Sequence, residues 1–120
     1  MQRKIVETAD GSKTIKIVDW NEQYHSLHGA VQEAYHVFIE KGLYGIENKS
    51  TAILEMGFGT GLNALITLYE CQKYGRTIDY TTIEAYPITN REYNELNYCQ
   101  VLNVPQLAKS FNLMHEAPWG

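Results

Sequence analysis

The chain has 120 residues, the length of one small domain, and 44% of them are hydrophobic, as in an ordinary globular protein. The net charge is −4 and the ten Lys and Arg residues are scattered, which argues weakly against nucleic-acid binding. No apolar run has transmembrane length and no signal peptide follows Met1, so we expect a cytoplasmic protein without membrane contact. Cys71 and Cys99 lack a metal-type spacing and are expected to be reduced and buried helix residues.

A β-hairpin is predicted at the start of the chain, over residues 3–18. Residues 4–8 and 14–18 are rich in β-prone side chains and flank Asp10-Gly11, a dipeptide typical of tight turns. Residues 19–27 are expected to form a polar connection after the hairpin.

A helix is predicted over residues 29–41. Its expected buried face consists of apolar residues that repeat at helical spacing, namely Val31, Ala34, Tyr35 and Phe38. Gly42 is expected to end this helix, and residues 43–50 are expected to form a loop.

A strand, helix, strand, helix order is predicted over residues 51–120, and it indicates an α/β protein with a parallel sheet. The first strand, over residues 51–56, is short and apolar, which suits a sheet covered on both faces. After a glycine loop, the next helix is expected to end near Gly75 and to bury Leu62, Leu65, Ile66 and Tyr69. A second strand is predicted over residues 77–83.

Two further helices are predicted towards the end of the chain. Thr89 and Glu92 have the spacing of a capping box, so a helix is expected to run from there to about Leu102. Pro105 suits the first turn of a last helix, whose apolar face would comprise Leu107, Ala108, Phe111 and Met114.

The glycine loop, Glu55-Met56-Gly57-Phe58-Gly59-Thr60-Gly61, joins a predicted strand to a predicted helix, where open α/β sheets bind ligands. A phosphate-binding loop would need Gly-Lys-Ser/Thr, but Leu62 follows Gly61, so that interpretation fails. A dinucleotide fingerprint would need a glycine at position 62, where this chain has Leu62, and this weakens the case for a nicotinamide cofactor. The Glu-x-Gly-x-Gly-x-Gly form resembles the first motif of class I methyltransferases, which use S-adenosylmethionine.

Two acidic residues support this interpretation of the loop. S-adenosylmethionine carries a sulfonium and an ammonium, so a carboxylate near the loop is favourable, and Glu55 is close to it in sequence. Glu84 follows the second strand, where an acidic residue accepts hydrogen bonds from both ribose hydroxyls in units of this type. The combined pattern predicts that S-adenosylmethionine is the cofactor.

A more specific resemblance is carried by four segments: residues 24–30, residues 33–39, Gly57-Phe58-Gly59-Thr60-Gly61-Leu62-Asn63 and Ile83-Glu84-Ala85-Tyr86-Pro87. Together they resemble the family of tRNA (5-methylaminomethyl-2-thiouridine) methyltransferases, which includes the methyltransferase half of the bifunctional bacterial wobble-uridine enzyme. The resemblance covers about residues 20–119. It implies the front part of a class I methyltransferase, Rossmann-like fold with an N-terminal β-hairpin.

The resemblance also implies an activity, a partner and a set of cofactor-binding residues. The activity is methylation of the aminomethyl group of 5-aminomethyl-2-thiouridine at the tRNA wobble position, so tRNA is the expected partner. The residues expected to bind S-adenosylmethionine are Tyr24, Ser26, Gly29, Glu33, Glu55, Gly57, Phe58, Gly59, Thr60, Gly61, Asn63, Glu84 and Ala85. Methyl transfer would be a direct displacement at the sulfonium methyl, with a neutral amine presented in line.

The catalytic residue is unknown from the chain itself. The family continues into a later acidic segment that takes the amine proton, and we expect the catalytic residue there, beyond Gly120. We therefore expect an incomplete domain whose strand over residues 52–55 has an exposed apolar edge, and a homo-oligomer that covers this edge.

Several alternatives stay open beside this interpretation. The chain could methylate another small substrate, or serve as a non-catalytic cofactor-binding or oligomerisation module. Glu33-x-x-His36 has half the spacing of a di-iron site, but no second copy exists, so no metal site is expected. Trp20 and Trp119 are expected to be packing residues, while Tyr86 could stack on a base at the rim of the pocket.

Overall fold

The computed structural model of the chain describes residues 2–40, 42 and 50–119. The predicted loop at residues 43–49 and the predicted helix end at Lys41 lie outside the described residues, as does the side chain of Phe38. Within the described part, no helix is long and apolar enough to cross a membrane.

The predicted hairpin is present. Strands β1 (Arg3–Glu7) and β2 (Lys13–Ile17) pair antiparallel, with Arg3 opposite Ile17 and Glu7 opposite Lys13. A third strand, β3 (Glu22–Gln23), pairs with β2 and was not predicted. It forms because a 3-10 turn over Val18–Trp20 ends at Asn21, whose left-handed backbone (φ 50°) returns the chain along β2.

The hairpin turn caps the helix that follows it. Helix α1 (Ala30–Ala34) starts with backbone N–H groups that have no partner inside the helix. The Ala30 and Gln32 N–H groups donate to Thr8 Oγ1 and Asp10 Oδ2, each at 3.0 Å. Burial alone would raise the pKa of Asp10, but hydrogen bonds from Ser12, Gln32 and Thr8 outweigh it and hold that pKa below its usual value.

The predicted helix over residues 29–41 is corrected in its second half. Helix α1 passes into a π-helical turn over Tyr35–Glu40, in which hydrogen bonds run from residue i to i+5. Of the predicted buried face, Ala34 is buried, whereas Val31 and Tyr35 are only half-buried. Ala30 and Ile39 are buried in addition.

The predicted strand, helix, strand unit is present and parallel. Strand β4 (Ser50–Met56) leads through the glycine loop to helix α2 (Leu62–Tyr74), and strand β5 (Thr77–Ile83) pairs parallel with β4 from Ser50–Thr77 to Met56–Ile83. Gly75 ends α2 in a left-handed conformation (φ 67°). The predicted face of α2 is confirmed for Leu62, Leu65 and Ile66, and Tyr69 is half-buried.

Only one face of the β4–β5 pair is covered by the described residues, in contrast to the expectation of a sheet covered on both faces. Ile53 and Ile78 pack against the core. On the opposite face Leu54, Met56 and Ile83 are 63%, 75% and 50% exposed. An apolar surface of this kind favours association, and the expected homo-oligomer stays a prediction.

The C-terminal helices differ from the prediction in one respect. The Thr89–Glu92 capping box is confirmed and begins α3 (Asn90–Glu95), but the chain turns extended at Leu96 and restarts as α4 (Tyr98–Val101). The break has a tertiary cause, because the Asn97 side chain accepts from the Lys13 N–H at 3.0 Å and donates to the Gly11 carbonyl at 2.9 Å. It also buries Tyr98 completely in the core.

The last helix, α5 (Ala108–Glu116), follows a 3-10 turn over Pro105–Leu107. Leu107 and Phe111 are buried as predicted. Ala108 is instead exposed and Met114 is half-buried. His115, which continues the i, i+4 spacing from Leu107 and Phe111, occupies the buried face in their place.

Candidate functional site

The glycine loop connects the end of β4 to the start of α2, and aromatic and imidazole side chains pack closely against it. Gly61 has a left-handed backbone (φ 81°), and a Cβ placed there would lie 2.8 Å from Phe58 Cζ and 2.9 Å from His115 Nε2. A Cβ on Gly59 would lie 3.2 Å from the ring of Tyr24. Glycine is therefore required by close approach at Gly61, and it brings the hairpin side of the protein close to the loop at Gly59.

The backbone N–H groups of the loop are largely paired inside the protein. Gly57 and Phe58 donate to the Ile83 carbonyl at 2.7 and 3.2 Å, and Gly61 donates to the Phe58 carbonyl at 3.0 Å. The Gly59 N–H donates to the Glu84 carboxylate at 2.7 Å. Four of the five residues from Gly57 to Gly61 thus do not offer a free N–H to a ligand.

Glu84 lies where β5 ends, beside the glycine loop. Its Oε1 accepts from the Gly59 N–H at 2.7 Å and its Oε2 accepts from the Tyr86 N–H at 3.0 Å. These two bonds orient the carboxylate, and an ionised carboxylate has about four acceptor positions, so each oxygen can accept one more hydrogen bond. The side chain is half-buried at the edge of an open cleft.

The cleft has a volume of about 480 Å³ and lies between the hairpin, helix α1 and the glycine loop. This volume is in the range of small-molecule sites. Of the residues predicted to bind the cofactor, eight line it: Tyr24, Glu33, Gly57, Phe58, Gly59, Thr60, Asn63 and Glu84.

The other five predicted residues lie outside the lining of this cleft. Ala85 is exposed beyond Glu84, and Gly61 is buried beneath Phe58. Gly29 packs against Asp10, since a Cβ on Gly29 would lie 2.7 Å from Asp10 Oδ2. Ser26 contacts Glu33, which lines the cleft, because the Ser26 backbone N–H donates to Glu33 Oε1 at 3.2 Å.

Glu55, the fifth of these residues, lies beneath the loop and does not face the cleft. It is 8% exposed and accepts a hydrogen bond from Thr82 Oγ1 at 2.9 Å. Burial raises the pKa of Glu55 above its usual value, although the hydrogen bond from Thr82 opposes this shift. Its hydrogen bond with Thr82 joins the end of β4 to β5 next to the loop, which indicates that Glu55 stabilises the loop.

His115 is a residue of the site that the sequence interpretation missed. Its Nε2 lies 2.9 Å from the Thr60 carbonyl oxygen, so the tautomer with a proton on Nε2 donates to the loop. The imidazole stacks on Tyr93 with ring centroids 4.7 Å apart, and its edge meets Phe58. Burial lowers the pKa of His115 to about 4 despite the hydrogen bond with Thr60, so the ring is neutral at pH 7.

Five further residues line the cleft without having been predicted to do so: Ile17, Trp20, His25, Ala34 and Val37. Tyr86, which was expected at the rim of the pocket, also lines it. The expectation that Trp20 is a packing residue is wrong, because its side chain is 61% exposed. Trp119 fulfils that role against Phe58, with ring centroids 5.4 Å apart. The position of Trp20 depends on the docking of the hairpin beside the loop, for which the local sequence carries no signal.

The described residues contain no cluster of three or more side chains that could hold a metal ion. Glu33 and His36 do not act together, since Glu33 accepts from Ser26 while the His36 Nδ1 lies 3.5 Å from Glu40 on an exposed helix face. Cys71 and Cys99 are both free thiols on helices, as expected, although they are only half-buried.

Comparison with known proteins gives a consistent result, although no family model matches the chain. The chain is 37% identical over 75 residues to the tRNA 5-methylaminomethyl-2-thiouridine biosynthesis bifunctional protein MnmC of Ralstonia nicotianae. It is 34% identical over 85 residues to the protein of the same name in Leptospira interrogans. The chain resembles a part of the MnmC proteins. The matches cover 57% and 63% of the chain, but only 11% and 13% of these two relatives.

The structural comparison extends the likeness to MnmC over more of the chain. The crystal structure of MNMC2 from Aquifex aeolicus matches with a TM-score of 0.61 and 29% identity, over 87% of the chain and 38% of that protein. The resemblance inferred from the sequence motifs is therefore confirmed, and the likeness to MNMC2 includes the α/β fold with its parallel strands. The names of the MnmC relatives describe biosynthesis of a modified tRNA nucleotide.

Proposed function

We propose that the chain is the front part of a class I methyltransferase domain that binds S-adenosylmethionine and acts on the tRNA wobble uridine. The observation that carries the proposal is Glu84, held by the Gly59 and Tyr86 N–H groups at the carboxyl end of β5 with acceptor positions left on both oxygens. A carboxylate at this place in a strand, loop, helix, strand unit is suited to the two hydroxyls of a ribose.

The charge of the cleft favours a cationic ligand. Glu33 and Glu84 line it, and among its described lining residues there is no Lys or Arg. A dinucleotide would bring a pyrophosphate with two negative charges, which is usually met by free N–H groups at the loop and helix start. Here the loop N–H groups at Gly57, Phe58, Gly59 and Gly61 are already paired. The sulfonium and ammonium of S-adenosylmethionine suit this acidic cleft better than a pyrophosphate does.

The residues fit such a cofactor as follows. Glu84 would hold the ribose hydroxyls, and Gly57 and Gly59 allow the ligand to approach the backbone closely. Glu33 and the Tyr24 ring lie in the same cleft and would face the positively charged end. When bound, the cofactor would supply an electrophilic methyl group on its sulfonium.

The substrate is proposed from the likeness to MnmC. The names of these relatives specify 5-methylaminomethyl-2-thiouridine in tRNA, so the acceptor would be the exocyclic amine of 5-aminomethyl-2-thiouridine. An amine must be neutral to attack the methyl group, and an acidic cleft both attracts its protonated form and provides carboxylates that can accept the proton. Among the described lining residues Glu33 would make this contact, because the Ser26 N–H orients its carboxylate and Glu84 is assigned to the ribose.

Calorimetric titration with S-adenosylmethionine and with NAD tests the cofactor assignment. We expect the wild-type chain to bind S-adenosylmethionine and not NAD. Replacing Glu84 by Gln removes the charge-assisted hydrogen bonds to ribose and should weaken binding by about 10- to 150-fold.

Glu95→Gln is the matched control, because it removes the same charge from an exposed residue of α3 that pairs with Arg91 at 3.7 Å and does not line the cleft. Its affinity for the cofactor should equal that of the wild type. If a folded wild-type chain fails to bind S-adenosylmethionine, or if Glu84→Gln binds it as well as Glu95→Gln does, the assignment is wrong.

A further inference from the structure

Two aromatic side chains stand at the mouth of the cleft with most of their surface open to solvent. Trp20 is 61% exposed and Tyr86 is 64% exposed, and both line the cleft. We refer to Trp20 and Tyr86 as the aromatic rim. Large aromatic side chains are usually buried for most of their area, so two of them exposed at one opening indicate a surface for a ligand.

The aromatic rim is held in place by the first residues of the chain. The turn that carries Trp20 starts at Val18, whose N–H donates to the Gln2 carbonyl at 3.0 Å. Arg3, which follows Gln2 in the chain, donates from Nη1 to the Tyr86 carbonyl at 3.0 Å, and its Nε pairs with Glu92 at 2.9 Å. The two segments of the rim are thus tied to two consecutive residues, Gln2 and Arg3, and the rim is a built feature of the fold.

The charge of the site restricts what can approach this rim. The cleft behind it contains the carboxylates of Glu33 and Glu84, and the chain as a whole carries a net charge of −4. A nucleic-acid backbone is repelled by such a surface, whereas an uncharged planar base is not. Stacking on aromatic faces is also the common way in which proteins hold a single base that has left its own stack.

We propose that the aromatic rim takes one extruded pyrimidine base of the RNA substrate, which stacks on Trp20 while the phosphate backbone stays outside the cleft. The proposal rests on the function proposed above and assigns its substrate contact. The rim lies at the entrance, while the ribose acceptor Glu84 is half-buried behind it. With the cofactor ribose held at Glu84, the exposed rim remains for a substrate base.

Intrinsic fluorescence tests the proposal directly, because the chain contains two tryptophans, Trp20 and Trp119. In the Trp119→Phe variant the emission comes from Trp20 alone. This variant is saturated with S-adenosylhomocysteine and titrated with an anticodon stem-loop RNA that has uridine at the wobble position. The comparison RNA is the same stem-loop with an abasic site at that position.

We expect the uridine RNA to quench Trp20 and the abasic RNA to leave its emission nearly unchanged. In the tryptophan-intact chain, Trp20→Ala should weaken binding of the uridine RNA by about 5- to 150-fold, the loss typical of one stacked base. Trp20→Phe should retain most of the affinity. Tyr74→Ala, which removes another exposed aromatic ring (57%) at the end of α2, serves as the control and should bind RNA like the wild type.

The cofactor affinity separates the two proposals. Trp20→Ala should bind S-adenosylmethionine like the wild type, which also shows that it is folded. Suppose that the wild type binds the cofactor, but that the Trp20 emission changes equally with uridine RNA and abasic RNA, or that the protein binds neither RNA. The rim assignment is then wrong and the cofactor assignment stands. If S-adenosylhomocysteine alone quenches Trp20 fully and Trp20→Ala loses the cofactor, the rim holds adenine instead, which also overturns the inference.

Discussion

Gly61→Ala should destabilise the protein through two separable effects, a backbone penalty and a steric clash. The left-handed backbone at Gly61 (φ 81°) costs about 1–2 kcal/mol for any residue with a Cβ. The new Cβ would also lie 2.8 Å from Phe58 Cζ and 2.9 Å from His115 Nε2. Both side chains are buried, 6% and 9% exposed, and their rings pack edge-to-face, so neither can move aside freely. Such overpacking costs about 1–3 kcal/mol more.

Gly75→Ala is the matched control for the backbone effect. Gly75 also has a left-handed backbone (φ 67°), but nothing lies within 4 Å of the Cβ that it would gain. The free energy of unfolding should therefore fall by about 1–2 kcal/mol in Gly75→Ala and by about 2–5 kcal/mol in Gly61→Ala.

Urea unfolding followed by circular dichroism measures this difference. With an m value of about 2 kcal/mol per M, an extra loss of about 2 kcal/mol separates the two midpoints by about 1 M. The Gly61→Ala penalty should also shrink in a Phe58→Leu background, which removes the nearest atom. Equal midpoints for Gly61→Ala and Gly75→Ala would refute the packing that we describe around the loop.

Two further predictions concern contacts made across the fold. Asn97→Ala should lower the free energy of unfolding by about 1–3 kcal/mol, because it leaves the Lys13 N–H and the Gly11 carbonyl without their partner, and urea unfolding measures the loss. The pKa of His115 is lowered to about 4 in the folded chain, so acidification below pH 6.5 should protonate the unfolded state first and reduce stability by up to about 3 kcal/mol at pH 4. His115→Gln should show a smaller difference in unfolding free energy between pH 7 and pH 4.5, and an unchanged difference would contradict the assigned burial of the ring.

Features that depend on residues close together in sequence were predicted well. The Asp10-Gly11 turn, the Thr89–Glu92 capping box and the end of α2 at Gly75 each follow from a local backbone preference. The positions of the glycine loop after β4 and of Glu84 after β5 were predicted for the same reason, since strand, loop, helix and acid recur at short fixed distances, whereas their binding of a cofactor stays a prediction.

Features that depend on distant residues were not predicted. The break between α3 and α4 requires Asn97 to reach the hairpin, and β3 requires the chain to return beside β2. The burial of His115 was missed although it continues the spacing of Leu107 and Phe111, because a polar residue at such a position gains a buried site only when a partner such as the Thr60 carbonyl is present.

The sequence by itself determined the hairpin, the order of the strand, helix, strand unit and the resemblance to the MnmC proteins, because helical and strand periods, turns and caps are local and the family motifs are contiguous. Only the tertiary structure decided which predicted residues face the cleft. It placed Glu55 beneath the loop, Gly29 against Asp10 and Trp20 at the open rim. These positions follow from how the hairpin packs against the rest of the chain, and that packing joins residues as far as 86 positions apart, as in the bond from the Asn97 side chain to the Gly11 carbonyl.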